Sequence, residues 1–312
     1  MAAFSVALLA IGFSESALTK VWDFHTLPLA ILFLPASILP AIGWHESKRT
    51  ELRDSALTLP WVFVFAILIT LVIPLSGRLG FPLRDATLVS MDSALRVNVP
   101  ATMRWASDHV AAKTVLEYSY SSLVVFLLCA MILPALLGKK KAAQEFLIAN
   151  ALAFLMAVPM FVLLPAVGPW EGYHFHGSAS QMACGHYIAA LHSKTALPAK
   201  LDAAILTFPS FHVIWAILSA RSLFAFRWLR IVVWPVALLV SFSTVTTGWH
   251  YYSDALAGIA VATTSIILAR QFVQPILSKS LPPDAASASN TPALSAVARR
   301  LRCHSKARRW RP

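Results

Sequence analysis

The sequence predicts an all-α fold: a polytopic membrane helix bundle of six spans, or seven if the N-terminal run inserts, with one amphipathic helix lying in the interface. Three observations predict it. The chain of 312 residues is 58% hydrophobic and 13% charged, about half the charge a soluble domain of that length carries. Its mean hydropathy is +0.67. Its apolar residues come in runs of roughly 18 or more, long enough to cross a hydrocarbon core about 30 Å thick. The positive charge sits in short loops and in the tail, as the positive-inside rule expects. A net charge of +12 therefore reports topology, and no nucleic-acid partner is expected.

The first apolar run, AAFSVALLAIGF, lacks a basic region before it and does not read as a cleaved signal peptide; it is a further span or a docked helix. Residues 27–44 form a span whose Pro28, Pro35 and Pro40 predict kinks that neighbouring helices satisfy. A basic loop with Lys48, Arg49 and Arg53 leads to the next span at 60–77. The polar interval 78–113 holds Leu88, Met91 and Leu95 at helical spacing among Asp85, Asp92 and Arg96, which predicts a helix in the membrane interface. A packed lid with no chemistry is its plainest role.

Spans follow at 115–138 and 145–167, separated by Lys139, Lys140 and Lys141. Residues 168–205 read as an outer loop with His174, His176, His186 and His192. The spans at 206–225 and 229–248 make a hairpin that turns at Arg227 and Arg230, and a last span runs from near Tyr251 to near Arg270. One domain is expected over 1–280, with its motifs in 160–270. Residues 281–312 read as a disordered basic tail that lies on anionic cytoplasmic lipid, at about 1 kcal/mol per basic residue. Eighteen of the 26 Lys and Arg residues fall in the segments assigned to the inner face. The compact loops fit a bacterial inner membrane, with the opposite face toward the periplasm.

Cys129, Cys184 and Cys303 fall in a span, an outer loop and the tail, so neither a disulfide framework nor a zinc cluster is expected. The loop histidines lack the spacing of a specific metal motif. No metal and no cofactor is expected.

The chemistry gathers in the hairpin. His212 and His250 are 38 positions apart, about two membrane passes, so both return to one face at one depth. Asp254 follows His250 by four and shares its helix face if the helix has begun by then. Histidines in apolar runs are costly unless partnered. A carboxylate on one ring nitrogen fixes the tautomer and leaves the other free to attack. Pro209 and Ser210 stand where a loop enters a helix, a place for a phosphate, and Gly248 lets backbone approach a ligand closely. Their ordinary roles would be a helix cap and a loop glycine.

Taken together these residues resemble the type 2 phosphatidic acid phosphatase superfamily. Its second motif, P-S-G-H, is matched by Pro209, Ser210 and His212, with Phe211 in the glycine place. Its third, S-R-x5-H-x3-D, is matched by Ser243, His250 and Asp254, with Thr244 in the arginine place. The first motif, K-x6-R-P, is absent, and LPAVGPW stands where it should end. Pro169, Trp170, Thr247, His250, Tyr251 and Asp254 resemble instead the branch of inositol phosphorylceramide synthases and their bacterial relatives.

The resemblance implies a metal-independent reaction on a membrane lipid phosphate. His250 would attack phosphorus, Asp254 would orient it, and His212 would act as acid and then base. Ser210, Gly248, Thr247, Pro169 and Trp170 are the expected substrate-binding residues. The missing Lys and Arg residues favour a singly charged diester over a monoester dianion, whose displacement needs more neutralisation. Headgroup transfer is therefore expected ahead of phosphatase action on a phosphatidic-acid-type lipid. Arg78, Arg84, Lys194 or Lys200 could reach the site from the outer loops. A scaffold or transporter that has lost catalysis is the remaining expectation. Retention of all three polar residues at one face counts against it, since transporters gather theirs near mid-membrane.

Overall fold

A computed structural model describes residues 77–195 and 207–279. The spans expected at 27–44 and 60–77 lie outside these residues but for Gly77, as do the N-terminal run, Lys200, Cys303 and the tail from 281. The chain divides into two compact units, Met1–Ala269 and Arg270–Pro312, and the packing below is that of the first.

Among the described residues every regular element is a helix. They are α1 (Asp85–Ala94), α2 (Val99–Asp108), α3 (Val110–Leu136), α4 (Lys140–Leu163), the single turn α5 (Pro169–Gly172), α6 (Ala179–Ser193), α7 (Phe211–Leu223), α8 (Arg230–Thr246) and α9 (Tyr252–Lys279). Helices α3, α4 and α9 are long and apolar enough to cross a membrane, and α7 and α8 are shorter apolar helices. These make the chain an integral membrane protein. Pro134, Pro159 and Pro235 lie inside α3, α4 and α8, as membrane helices tolerate.

The hairpin forms, but its helices are shorter than a full crossing. Helix α7 has 13 residues and α8 has 17, about 20 and 26 Å of rise. Both are cut back at the end that carries a histidine. Ser210 has extended backbone and caps α7, accepting from the Val213 N–H. Helix α8 stops because Gly248 takes φ +73°. The Trp249 N–H reaches the Thr244 carbonyl and the Gly248 N–H reaches that of Val245, the pairing of a Schellman cap.

Helix α7 packs on α3, α4 and α8, and α3 packs on α4 and α8. Small side chains make this possible. Ala149, Ala153 and Ala157 of α4 and Ala216 and Ala220 of α7 recur every fourth position and are 2% exposed or less. Within lipid such residues let backbones approach and gain dispersion contact. At the far end of α7 from His212, Arg221 donates to the buried Glu145 of α4 at 2.6 Å. That pair joins the two helices beside the Lys139–Lys141 run.

Helix α1 exists as expected, but its inward face differs from the expected stripe. Leu88 is fully buried between Asp85 and Asp92, which are 7% and 0% exposed, while Met91 and Leu95 are 42% and 47% exposed. The buried face is therefore 85, 88 and 92, an i, i+3, i+7 set that includes both carboxylates. Met91 and Leu95 are left on the outside. The interval expected to be an outer loop also carries structure. Helix α6 starts at a capping box, with Ser178 and Gln181 each bonding the other's backbone, and buries Cys184, Ile188 and Leu191.

Candidate active site

His250 lies in the turn between α8 and α9, two residues before α9 begins at Tyr252. It is 3% exposed and Asp254 is fully buried. The His250 Nδ1 is 3.0 Å from the Thr207 carbonyl and 3.3 Å from the Asp254 carboxylate. Both partners only accept, so Nδ1 carries the hydrogen and Nε2 keeps a lone pair. That Nε2 points at His212, whose Nδ1 lies 3.4 Å away. Burial pushes the His250 imidazole down to about 4, with the Thr207 carbonyl pulling the other way. The ring is thus a neutral base with a directed lone pair.

Asp254 is held in turn. Its Oδ2 accepts from the Tyr251 N–H at 2.9 Å, and its backbone carbonyl accepts from the Ser210 N–H at 3.2 Å. The start of α7 and the start of α9 are therefore tied together directly. Gly258, one turn further on α9, has no room for a side chain, because a Cβ there would meet the Ser210 carbonyl at 2.8 Å. His212 is fixed differently. The ring of Tyr120, from α3, lies parallel to it, with centroids 4.7 Å apart and 19° between planes.

The other expected binding residues have clear places. Ser210 is fully buried and its hydroxyl serves the α7 cap. The Thr247 hydroxyl donates to the Ser243 carbonyl at 2.7 Å. Gly248 fits the turn rather than an open approach. A Cβ there would meet Met103 at 2.8 Å and Phe175 at 3.3 Å, and the carbonyls of Thr247 and Gly248 accept from Gln181. Pro169 begins α5, and Trp170 meets Trp249, the residue next to His250, edge-on at 5.7 Å. Among the described residues no lysine or arginine bonds or pairs with His212, His250 or Asp254. His174, His176, His186 and His192 form no group of three potential metal ligands among the described residues.

Two carboxylates that sequence reasoning left on the surface hold the site together. Asp85 accepts from the Val167 and Gly168 N–H groups and from the Tyr251 hydroxyl, at 2.9–3.1 Å. Asp92 accepts from the Ser253 N–H at 2.8 Å, the Tyr252 N–H at 3.2 Å and the Tyr173 hydroxyl at 3.2 Å. Burial and the Asp92 charge push the Tyr173 phenol above its usual range, which keeps it a donor. Asp92 thus caps α9 from another helix, meeting N–H groups that α9 cannot satisfy itself. The signal in the sequence was the placing of Asp85 and Asp92 on the same face as Leu88.

This arrangement can do covalent chemistry on an electrophile placed between the two rings: one nitrogen directed to attack, one positioned to exchange a proton. A model of the PAP2 superfamily matches residues 86–268. The match begins at the second residue of α1, so the family region takes in Asp92 as well as the histidine motifs. No curated protein and no solved structure matches the chain. The match covers more than half of the chain, and it carries the same histidines and aspartate that the geometry brings together: the chain belongs to the PAP2 superfamily.

Proposed function

We propose that the chain is a phosphotransferase that moves an intact phospho-headgroup from a lipid diester to a hydroxyl acceptor, through a phosphohistidine on His250. Membership of the superfamily implies phosphatase or phosphotransferase action on lipid phosphates. The observation that supports the phosphohistidine chemistry is the pairing of His250 Nε2 with His212 Nδ1 at 3.4 Å, with His250 Nδ1 held from behind by Thr207 and Asp254.

In the first step Nε2 of His250 forms a bond to phosphorus as the bond to the lipid oxygen breaks. The imidazolium form of His212, favoured by the phosphate charge beside it, gives its proton to that oxygen, and an alcohol such as diacylglycerol leaves. Asp254 stabilises the charge that develops on the His250 ring. In the second step the acceptor hydroxyl loses its proton to His212, its oxygen bonds to phosphorus, and the P–N bond breaks.

The diester preference rests on charge. Thr244, in the arginine place, is fully buried with its hydroxyl on the Ser241 carbonyl at 2.7 Å. It offers nothing to a dianion. A diester carries one charge fewer and asks less of the site. The branch resembling inositol phosphorylceramide synthases is therefore favoured over phosphatidic acid phosphatases. The histidines would face the periplasm of a bacterial inner membrane, with the basic tail on cytoplasmic lipid.

The test uses purified protein in detergent with EDTA, offered phosphatidic acid or phosphatidylinositol, with ceramide or diacylglycerol as acceptor. Products are read by mass spectrometry against a His250→Ala control. The expected product is the acceptor bearing the intact headgroup phosphate. Free phosphate from the monoester alone would make the protein a phosphatase and overturn the diester preference.

A further inference from the structure

The two catalytic histidines are not held alike. His250 has a carbonyl and a carboxylate behind it. His212 has no carboxylate or carbonyl partner among the described residues; it meets the His250 edge, with 61° between the planes and centroids 5.5 Å apart, and the flat face of Tyr120. The contact with His250 is lost when a phosphorus atom occupies the space between the rings. What then keeps the His212 ring aimed at the leaving oxygen is the stack.

We infer that Tyr120 is the positioning residue of the general acid, holding the plane of His212 and favouring its proton-bearing form while substrate separates the two histidines. The geometry serves both parts. Turning the His212 ring about its Cβ–Cγ bond would drive it through the Tyr120 ring, which lies 19° from parallel at a 4.7 Å centroid distance, so the stack fixes the plane. An imidazolium over an aromatic face is also attracted by the ring quadrupole. Neither effect needs the phenol hydroxyl; both need the ring. Helix α3, which bears Tyr120, packs directly on α7, which bears His212.

The inference rests on the phosphotransfer mechanism above and is tested by leaving-group dependence. A general acid matters when an alkoxide must leave and hardly at all when nitrophenolate leaves, and general acid catalysis is worth about 10²–10⁴-fold. Wild type, Tyr120→Phe and Tyr120→Leu are compared on a phospholipid donor and on a p-nitrophenyl donor of the same charge type. Diester and monoester pairs are both run, and thermal melts confirm the fold. Tyr120→Met keeps the volume without a ring and replaces the Leu variant should that fail to fold.

The expected result is a fall in kcat of at least tenfold for Tyr120→Leu with the lipid donor. The rate of its nitrophenolate burst, which the first step alone sets, should stay within threefold of wild type, and Tyr120→Phe should be close to wild type on both. An equal loss on both donors, or no loss on either, overturns the assignment, because a space-filling ring would not distinguish leaving groups. A wild-type protein inert toward all donors overturns the phosphotransfer reading itself, and the role of Tyr120 with it.

Discussion

Replacing Asp85 by Ala should cost the protein more stability than any single change at the histidines. The carboxylate satisfies three buried donors: the Val167 N–H, the Gly168 N–H and the Tyr251 hydroxyl. Each loses its only carboxylate partner, although the Tyr251 hydroxyl retains the Gly168 carbonyl at 2.8 Å. A buried donor left unsatisfied costs about 1–3 kcal/mol. Two full losses and one partial loss give roughly 3–6 kcal/mol, less whatever relaxation recovers. For a unit of this size that is a fall of about 6–20 °C in melting temperature. Asp85→Asn keeps one oxygen for the two N–H groups but turns an amide NH₂ toward a donor, so it should lie between Ala and wild type. Thermal unfolding of purified protein in one detergent, followed by tryptophan fluorescence, makes the comparison. A melting temperature for Asp85→Ala within 2 °C of wild type would refute the clamp and return α1 to a passive surface helix.

The remaining predictions concern the chemistry. His250→Ala should lower turnover by at least about 10⁴-fold, with an unchanged melting profile, and activity at the wild-type rate would end the nucleophile assignment. Asp254→Asn should lower kcat by about 10²–10⁴-fold while leaving KM nearly unchanged, since the carboxylate acts on charge that develops in the transition state. His212→Ala should abolish turnover of lipid donors yet still form a phosphoenzyme with a nitrophenyl donor. The acid limb of that nitrophenyl half-reaction should lie near pH 4 rather than 6.5, because burial depresses the His250 value. A depressed value keeps the imidazole neutral, and so nucleophilic, until the pH falls through it. An acid limb centred at 6.5 in stopped-flow measurements would place His250 in water.

The meeting of His212, His250 and Asp254 was more legible in the sequence than the fold around it. Spacing alone could bring His212 and His250 to one end of a hairpin, because a membrane fixes helix length and both helices must return. The structure has them in contact, with Asp254 behind His250 although the helix has not begun there: the turn at Gly248 delivers His250 to Asp254, where expectation had relied on helix periodicity. Thr207 was missed because a backbone carbonyl leaves no mark on sequence. Tyr120 was missed because an aromatic in a membrane span looks like any other.

Helix α1 shows why pattern reading stops short. Leu88, Met91 and Leu95 gave an apolar stripe, and the carboxylates were placed in water by default. Their partners lie 81 to 166 positions away, so no local pattern announces them. Buried carboxylates meet backbone N–H groups at a helix start and a loop, which is where a negative charge can be desolvated at tolerable cost. Gly248 likewise read as a place for ligand approach, when its positive φ and the Met103 and Phe175 side chains beside it account for the glycine.

The most direct measurement is capture of the phosphoenzyme. Protein mixed with a lipid diester donor and no acceptor is quenched in alkali within milliseconds to seconds, and its peptides are weighed by mass spectrometry. The account predicts an adduct on the peptide containing His250, with the mass of the phosphate plus the intact headgroup, absent from His250→Ala and accumulated in no other peptide. A donor turned over with His250 unmodified at every time point, or an adduct on another residue, would contradict it.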